Sequence, residues 1–306
     1  MSASTATSDG SGSWYEASAR GRIAGVVDRG SFVEFIGPAE RQTSPHLAIF
    51  DLPEQFDDGM IVGRATVGGK IVLVAAQEGR FMGGAFGEVH GAKLVGLLRS
   101  ARATFRDVII LFDTGGVRLQ EANAGELAIA EIMRALVLAR FEGVRVIGLI
   151  GGRAGCYGGG GLIAGCCSTL IISEQGRISV SGPEVIETNK GVEEFDSKDR
   201  AFVWRTMGGK HRYLIGGANC FVEDSCAAFR NAALAALRQE AKLDLATLIA
   251  EQARLEQRLV RFGNKTDATD IWAALGIDNA DEVPALATQS FLALTAGKQE
   301  ISDDAR

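Results

Sequence analysis

The sequence predicts an α/β fold built on a mainly parallel sheet. Residues 107–113 (DVIILFD) and 144–150 (VRVIGLI) are apolar runs of the kind that form strands covered on both faces. Each run ends in a glycine-rich turn and is followed by a helical pattern, so strand–turn–helix occurs twice in succession. Finally, 39 glycines stand against only 5 prolines with no tripeptide period. That composition points to tight turns and close backbone approaches inside a folded chain, not to collagen or a disordered linker.

Taken in order, residues 1–13 are rich in Ser, Gly, Ala and Thr and read as a disordered tail. Residues 14–27 read as a first helix. Residues 61–67 and 70–76 are β-rich and flank Gly68-Gly69, a hairpin signal. The turn Met82-Gly83-Gly84-Ala85-Phe86-Gly87 leads into a helix over residues 88–105, where Val89, Leu94, Leu97, Leu98 and Ala101 recur at helical spacing. The first buried strand ends in Thr114-Gly115-Gly116 and precedes a long helix over residues 121–142. The second runs into residues 151–161 (GGRAGCYGGGG) and a short apolar helix over 162–167. Short strands are expected at 169–173 and 177–180. Past Pro183 the pattern turns helical, with helices at 198–207, 225–242 and 245–261. The last of these carries Glu, Gln and Arg on one side and Leu, Ile and Ala on the other. The remaining residues read as short helices and a polar tail. With no repeat and no linker, the expected division is a tail over 1–13, a main domain over 14–240 and a helical extension of it over 241–306.

Several function classes are excluded. The net charge is −6 with no basic stripe, which argues against a nucleic-acid partner. The N-terminal stretch lacks the basic leader and apolar core of a signal peptide, and no uncharged apolar run approaches the ~20 residues that cross a bilayer; a cytoplasmic location is expected. The five cysteines, Cys156, Cys166, Cys167, Cys220 and Cys226, form no C-x-x-C pair, and His46, His90 and His211 are scattered. Reduced thiols and no metal site are expected.

The glycine clusters remain. A helix N-terminus offers unpaired N–H groups, and a residue without Cβ lets a reacting group approach the backbone. Two such turns on neighbouring parallel strands place their donors at one sheet edge, where α/β ligands bind, and together can hold a developing oxyanion. Taken singly, a glycine cluster after a strand is an ordinary tight turn. A nucleotide loop is disfavoured, because the second cluster does not open a βαβ unit and Gly209-Lys210 is followed by His211 instead of Ser or Thr.

At these residues the chain resembles the carboxyltransferase subunits of biotin-dependent carboxylases, within the crotonase-like superfamily. Arg80-Phe81-Met82-Gly83-Gly84-Ala85-Phe86-Gly87-Glu88-Val89-His90-Gly91-Ala92-Lys93 resembles the family stretch R-F-M-G-G-S-x-G-x-x-x-G-x-K. Thr114-Gly115-Gly116-Val117-Arg118-Leu119-Gln120-Glu121 resembles S-G-G-A-R-M-Q-E. Cys156-Tyr157-Gly158-Gly159 stands where that family has its second glycine pair, and Ser181-Gly182-Pro183-Glu184-Val185-Ile186-Glu187-Thr188 resembles A-G-P-R-V-I-E-Q. No cysteine precedes Cys156, so the zinc ribbon of the acetyl-CoA carboxylase β subunit is absent, as is an M-K-M biotin-attachment motif. Together with the pattern GCYGGGG and residues 182–191 (GPEVIETNKG), these departures resemble the β subunits of malonate decarboxylases.

The resemblance implies a crotonase-like fold of repeated β-β-α units. It also implies a subunit that works with a γ subunit, an acyl-carrier protein subunit and an acyl-carrier transferase subunit. The pair would decarboxylate a malonyl thioester through an enolate, binding no cofactor of its own beyond the phosphopantetheine-type thioester, on carrier protein or coenzyme A, that is its substrate. One oxyanion donor is assigned to the Gly115/Gly116 turn and one to the Gly158/Gly159 turn. Tyr157, Arg118, Gly83, Gly84, Gly182 and Pro183 are expected around the substrate, Tyr157 being a candidate proton donor by position or a packed core residue. Arg118 and Glu121 alternatively pair across a helix start, His90 is expected on a helix surface, and Lys210 and Arg212 offer either a phosphate contact or a surface charge pair. The rival readings are transfer of the carboxyl group to or from a biotin carrier, and a non-enzymatic scaffold subunit.

Overall fold

The structure is a computed structural model that describes residues 12–52 and 56–299; the expected tail over residues 1–13 lies almost wholly outside these. Seven strands form one sheet in sequence order: β1 (Val33–Phe35), β2 (Met60–Val67), β3 (Lys70–Gln77), β4 (Val108–Phe112), β5 (Val146–Ile150), β6 (Thr169–Ser173) and β7 (Cys220–Val222). β1, β2 and β3 are antiparallel neighbours, and from β3 onward every pairing is parallel. β2 and β3 pair from Met60↔Gln77 to Val67↔Lys70 around Gly68 and Gly69. Their φ angles of 58° and 78° are those of the tight hairpin turn that matches strand twist.

Eleven α-helices among the described residues cover the sheet: α1 (Ala19–Val26), α2 (Glu88–Thr104), α3 (Asn123–Phe141), α4 (Gly159–Gly165), α5 (Pro183–Lys190), α6 (Arg200–Met207), α7 (Gly209–Leu214), α8 (Cys226–Ala236), α9 (Leu245–Phe262), α10 (Ala268–Ala274) and α11 (Thr288–Thr295). Strand alternation sends Val108, Ile110 and Phe112 to a core shared with α2, α3 and α4, and Ile109 and Leu111 to a second core under α1 and α8. The sheet is therefore sandwiched, which is why β4 and β5 are buried at every residue. Trp272 of α10 and Phe291 of α11 join the first core, so the C-terminal helices are packed into the same body.

Four local readings change. The first helix begins at Ala19, because the Ser18 hydroxyl accepts from the Gly21 N–H and caps it, while Trp14 stacks on Phe229 at 4.1 Å. Residues 177–180 form two isolated bridges, Cys156↔Ile178 and Arg177↔Gly208, and no strand. The helix expected to 242 stops at Ala236, where Lys70 and Arg145 donate to the carbonyls of Leu237 and Gln239. The helix expected from 162 begins within the glycines, at Gly159.

Candidate active site

Beyond the C-terminal ends of the central strands the loops keep pairing and form a small second layer. Its rungs are Phe86↔Val117, Thr114↔Cys156, Cys156↔Ile178 and Arg177↔Gly208. Thr114 donates to Gly155 O at 2.8 Å and Tyr157 donates back to Thr114 O at 3.0 Å; on the other side Phe86 donates to Gly116 O at 2.8 Å. This layer lays the turns at Gly83/Gly84, Gly115/Gly116 and Gly158/Gly159 side by side. The approach is close: a methyl at Gly158 would stand 3.3 Å from Gly116 Cα, and one at Gly84 only 1.8 Å from Asp113 O. Gly158 also has φ 57° and ψ −131°, a region that residues with a side chain adopt only under strain.

The N–H groups divide sharply. Gly115 donates to Gly83 O at 2.8 Å, and the Gly116 N–H reaches Thr114 Oγ1 at 3.1 Å. The donor expected from the Gly115/Gly116 turn is thus already engaged at both glycines. The N–H of the next residue, Val117, is left unbonded. Phe86 exchanges its ladder bonds with Gly116 and Arg118, so the N–H and C=O of Val117 face away from Phe86. Among the described residues nothing accepts from the N–H groups of Val117, Gly158 or Gly159. Three free donors therefore stand on two touching turns.

A buried charged frame holds these loops. The Arg118 guanidinium spends all three nitrogens on protein: Nε on Ala85 O at 3.0 Å, Nη1 and Nη2 on the Asp57 carboxylate, and Nη1 also on Glu121 at 3.0 Å. All three side chains are buried. Burial alone would raise the Asp57 carboxyl, but the Arg118 bonds and charge outweigh it and hold it below the usual range. Arg118, expected around the substrate, thus fastens its own loop, and its pairing with Glu121 spans the 3-10 turn that precedes α3. Asp113, at the end of β4, plays a matching part: it pairs with buried Arg22 at 2.7 Å and accepts from the Ala154 N–H at 2.7 Å. Gln77 donates to Gly84 O and accepts from the Asp113 N–H. Asp57, Asp113 and Gln77 were not singled out in the sequence; a carboxylate closing a fully apolar strand, as at Asp113, was the available signal.

Tyr157 lies in a small core with Phe195, Val203 and Met207 beneath α5 and α6. The Arg177 guanidinium sits 5.9 Å from its ring centroid, and the phenol oxygen is buried without a hydrogen-bond partner. Burial pushes the phenol up, keeping it protonated. Gly182 and Pro183 open α5, just past the stretch in which Ser179 O comes within 2.4 Å of a methyl at Gly161. His90 is buried, not exposed: Nε2 lies 2.9 Å from Gly59 O, and burial and the Arg118 charge push it down to about 4. Lys210 is likewise buried, bonded to Glu174 and to the carbonyls of Pro284 and Leu286. Burial raises all five cysteine thiols, so none offers a ready thiolate. Among the described residues no cluster of His, Cys, Asp and Glu is placed to hold a metal ion, and no helix is long and apolar enough to cross a membrane.

Comparison with known proteins identifies the family. Residues 16–229 match the carboxyl transferase domain. The malonyl-S-ACP:biotin-protein carboxyltransferase of Malonomonas rubra is 40% identical over 303 residues, covering 92% of this chain and 95% of that one. The propionyl-CoA carboxylase β chain of Saccharopolyspora erythraea is 31% identical over 198 residues, 64% of this chain but only 35% of that longer one. Among solved structures, a Pseudomonas malonate decarboxylase hetero-tetramer in complex with malonate superposes with a TM-score of 0.77 at 36% identity, covering 84% of this chain and 95% of the matched chain. The Pseudomonas MdcD-MdcE hetero-dimer superposes at 0.65 with 32% identity, covering 82% and 97%. The fold is accordingly the crotonase-like carboxyltransferase fold, and the chain belongs to the carboxyl transferase domain family as a carboxyltransferase-type enzyme related to malonate decarboxylase.

Proposed function

We propose that the chain is the β-type subunit of a cytoplasmic malonate decarboxylase, which acts with a γ-type subunit on a malonyl thioester borne by an acyl-carrier protein. The observation that carries this reading is the free N–H of Val117 beside those of Gly158 and Gly159, in a site with no activated side-chain nucleophile. Decarboxylation breaks the bond between C2 and the carboxylate carbon, releases CO2 and moves the electron pair into an enolate whose oxygen carries the charge. Backbone donors fixed at that oxygen stabilise the transition state more than the neutral thioester carbonyl. The enolate then takes a proton at C2 and becomes the acetyl thioester. Tyr157, protonated and unpartnered, adjoins the Gly158 turn and is the donor this chain can offer. Arg118 is committed to Asp57 and Glu121, so it does not pair with the substrate carboxylate and hold it in the ground state.

The similarity to a biotin-protein carboxyltransferase supports a second reading, in which the same enolate geometry serves transfer of the carboxyl group to a biotin carrier. One assay separates them. The chain, a γ-type subunit and malonyl-carrier protein are mixed with and without avidin. The first reading expects CO2 and acetyl-carrier protein in both cases. Turnover that appears only with added biotinyl carrier, and is abolished by avidin, gives the site to carboxyl transfer.

A further inference from the structure

Arg22 and Arg118 meet burial with carboxylates, but Arg177 does not. It lies between β6 and α5, on the stretch that pairs with Cys156 and Gly208, and its carbonyl accepts from the Cys156 N–H at 2.8 Å. That pairing brings its side chain to Tyr157, the residue after Cys156. The guanidinium carbon stands 4.4 Å from the Trp204 ring centroid and 5.9 Å from that of Tyr157. Nη2 donates to Arg153 O, while Nε is buried and donates to nothing; among the described residues no carboxylate pairs with this cation. Arg212 of α7 is a second such case. Its Nε is also buried and unbonded, and it too forms no ion pair among the described residues.

A cation drawn out of water without a carboxylate is costly unless a neighbour can take up negative charge. Tyr157 is the neighbour that the two arginines share. Burial raises its phenol, the Arg177 charge opposes that rise, and Glu184 of α5 and the Cys156 thiol add to it. Burial pushes Arg212 down to about 10, the Arg258 charge adds to the fall, and an ionised Tyr157 opposes it. Phe195, Val203 and Met207 supply the apolar remainder of the surroundings. Two guanidinium groups without carboxylates do little for a neutral phenol; they suit a phenolate. That anion arises when Tyr157 gives up its proton. The phenol O–H bond breaks, a C–H bond forms at C2 of the enolate, the electron pair of the O–H bond stays on the phenol oxygen, and water later returns the proton. A weak acid in an enclosed place transfers its proton faster when fixed cations already face the charge left behind.

We propose that Arg177, with Arg212 on the α7 side, is a positioning residue that balances the phenolate left on Tyr157 once it has protonated C2; this rests on the decarboxylase reading above. The chain has three tyrosines, so a Tyr15→Phe/Tyr213→Phe background leaves Tyr157 alone. Produced with 3,5-difluorotyrosine, whose phenol ionises at lower pH than that of tyrosine, the full chain reports the Tyr157 phenolate by its near-ultraviolet absorbance. Arg177→Gln should raise the midpoint of that titration by about one pH unit or more, and Arg177→Lys, which keeps the charge, should raise it less. Melting curves check folding; should Arg177→Gln melt early, Arg177→Met keeps the aliphatic packing on Trp204 and is read in its place. An unmoved midpoint in the folded variant overturns the proposal. With a γ-type subunit and malonyl-carrier protein, Arg177→Gln should lower kcat about ten-fold or more at unchanged KM. Once Tyr157→Phe is present it should lower kcat no further. Equal losses in the two backgrounds would mean that Arg177 acts on folding alone, and the proposal falls. A moved midpoint with full turnover in Tyr157→Phe also overturns it, since the charge pairing would then serve no proton transfer. Wild type that binds the γ-type subunit and releases no CO2 sinks the decarboxylase reading, while the titration still decides whether Arg177 balances the phenolate.

Discussion

At Gly115 an added methyl would meet only Gly83 O, at an ordinary 3.5 Å, and its φ is not left-handed. Gly115→Ala should therefore cost no more than about 0.5 kcal/mol of stability. If the turn borders the acyl group, the methyl enters that space, and turnover should fall at least ten-fold with the melting curve unmoved. A scaffold role predicts that activity follows folding, so an active, stable Gly115→Ala protein would count against the site. Gly158→Ala is the contrasting case: its positive φ adds strain of about 1–3 kcal/mol, and stability and turnover should drop together. Behind the loops, Asp57→Asn removes the charge that balances the Arg118 guanidinium. With Glu121 still in place, the cost should sit at the low end of the range for a broken buried pair, about 3 kcal/mol, read from urea denaturation. At Tyr157 the phenol oxygen is buried and unbonded, so Tyr157→Phe should be neutral or stabilising by about 1 kcal/mol. A large loss of turnover in that stable variant would identify the proton donor, and full activity would remove Tyr157 from the role.

Among elements, the β2–β3 hairpin and the sandwiched strands were legible because their signals are local. Gly68-Gly69 lies between two β-rich runs, and the apolar stretches ending at Asp113 and Ile150 had to be covered on both faces. The hairpin makes its own prediction: Gly69 has φ 78° and open space around it, so Gly69→Ala should cost about 1 kcal/mol while Gly69→Asn costs less, measured by thermal denaturation. β1 and β7, of three residues each, were not legible, because they exist only through neighbours far along the chain. The loop layer was hidden for the same reason, and with it the engagement of the Gly115 and Gly116 N–H groups. An unbonded N–H belongs to Val117, whose side chain gives no hint of it; only ladder alternation against Phe86 finds it. Helix α9 was readable as amphipathic, but periodicity does not say which side faces the body, and its apolar side faces out. His90 was read as a surface group, and the burial of Arg118 went unseen, because a single polar position on a helix or turn pattern carries no record of the burial that the partners Gly59, Asp57 and Glu121 make tolerable.

At the scale of the whole molecule, two buried histidines set an acid limit to stability. His90 is pushed down to about 4 by burial and by Arg118, and His211 to about 3 by burial and by Arg212 and Arg258. His211 Nδ1 accepts from Trp272 Nε1 at 3.3 Å, which requires that nitrogen unprotonated, and His90 Nε2 must donate to Gly59 O while Nδ1 has no partner. In the unfolded chain both titrate near the ordinary 6.5. Between that value and about 4 the unfolded chain binds up to two more protons than the folded one. Stability is then fully present above pH 6.5 and falls as pH drops, by up to about 2.7 kcal/mol per pH unit for the two together. Below about 4 the low Asp57 carboxyl adds a loss of the same sign. Urea denaturation at pH 7.5, 6.5, 5.5 and 4.5 measures the slope, and His90→Gln/His211→Gln should flatten it between 6.5 and 4.5 whatever its stability at pH 7.5. A double variant with the wild-type slope would mean that other groups carry the acid sensitivity. The same window bears on the proposed reaction, because His90 lies under the loop that includes Gly59 and Asp57, whose carboxylate anchors Arg118. Protonating His90 would place a cation against that guanidinium, so turnover of the assembled enzyme should fall along the stability curve on the acid side, and in the double variant the fall should move to lower pH.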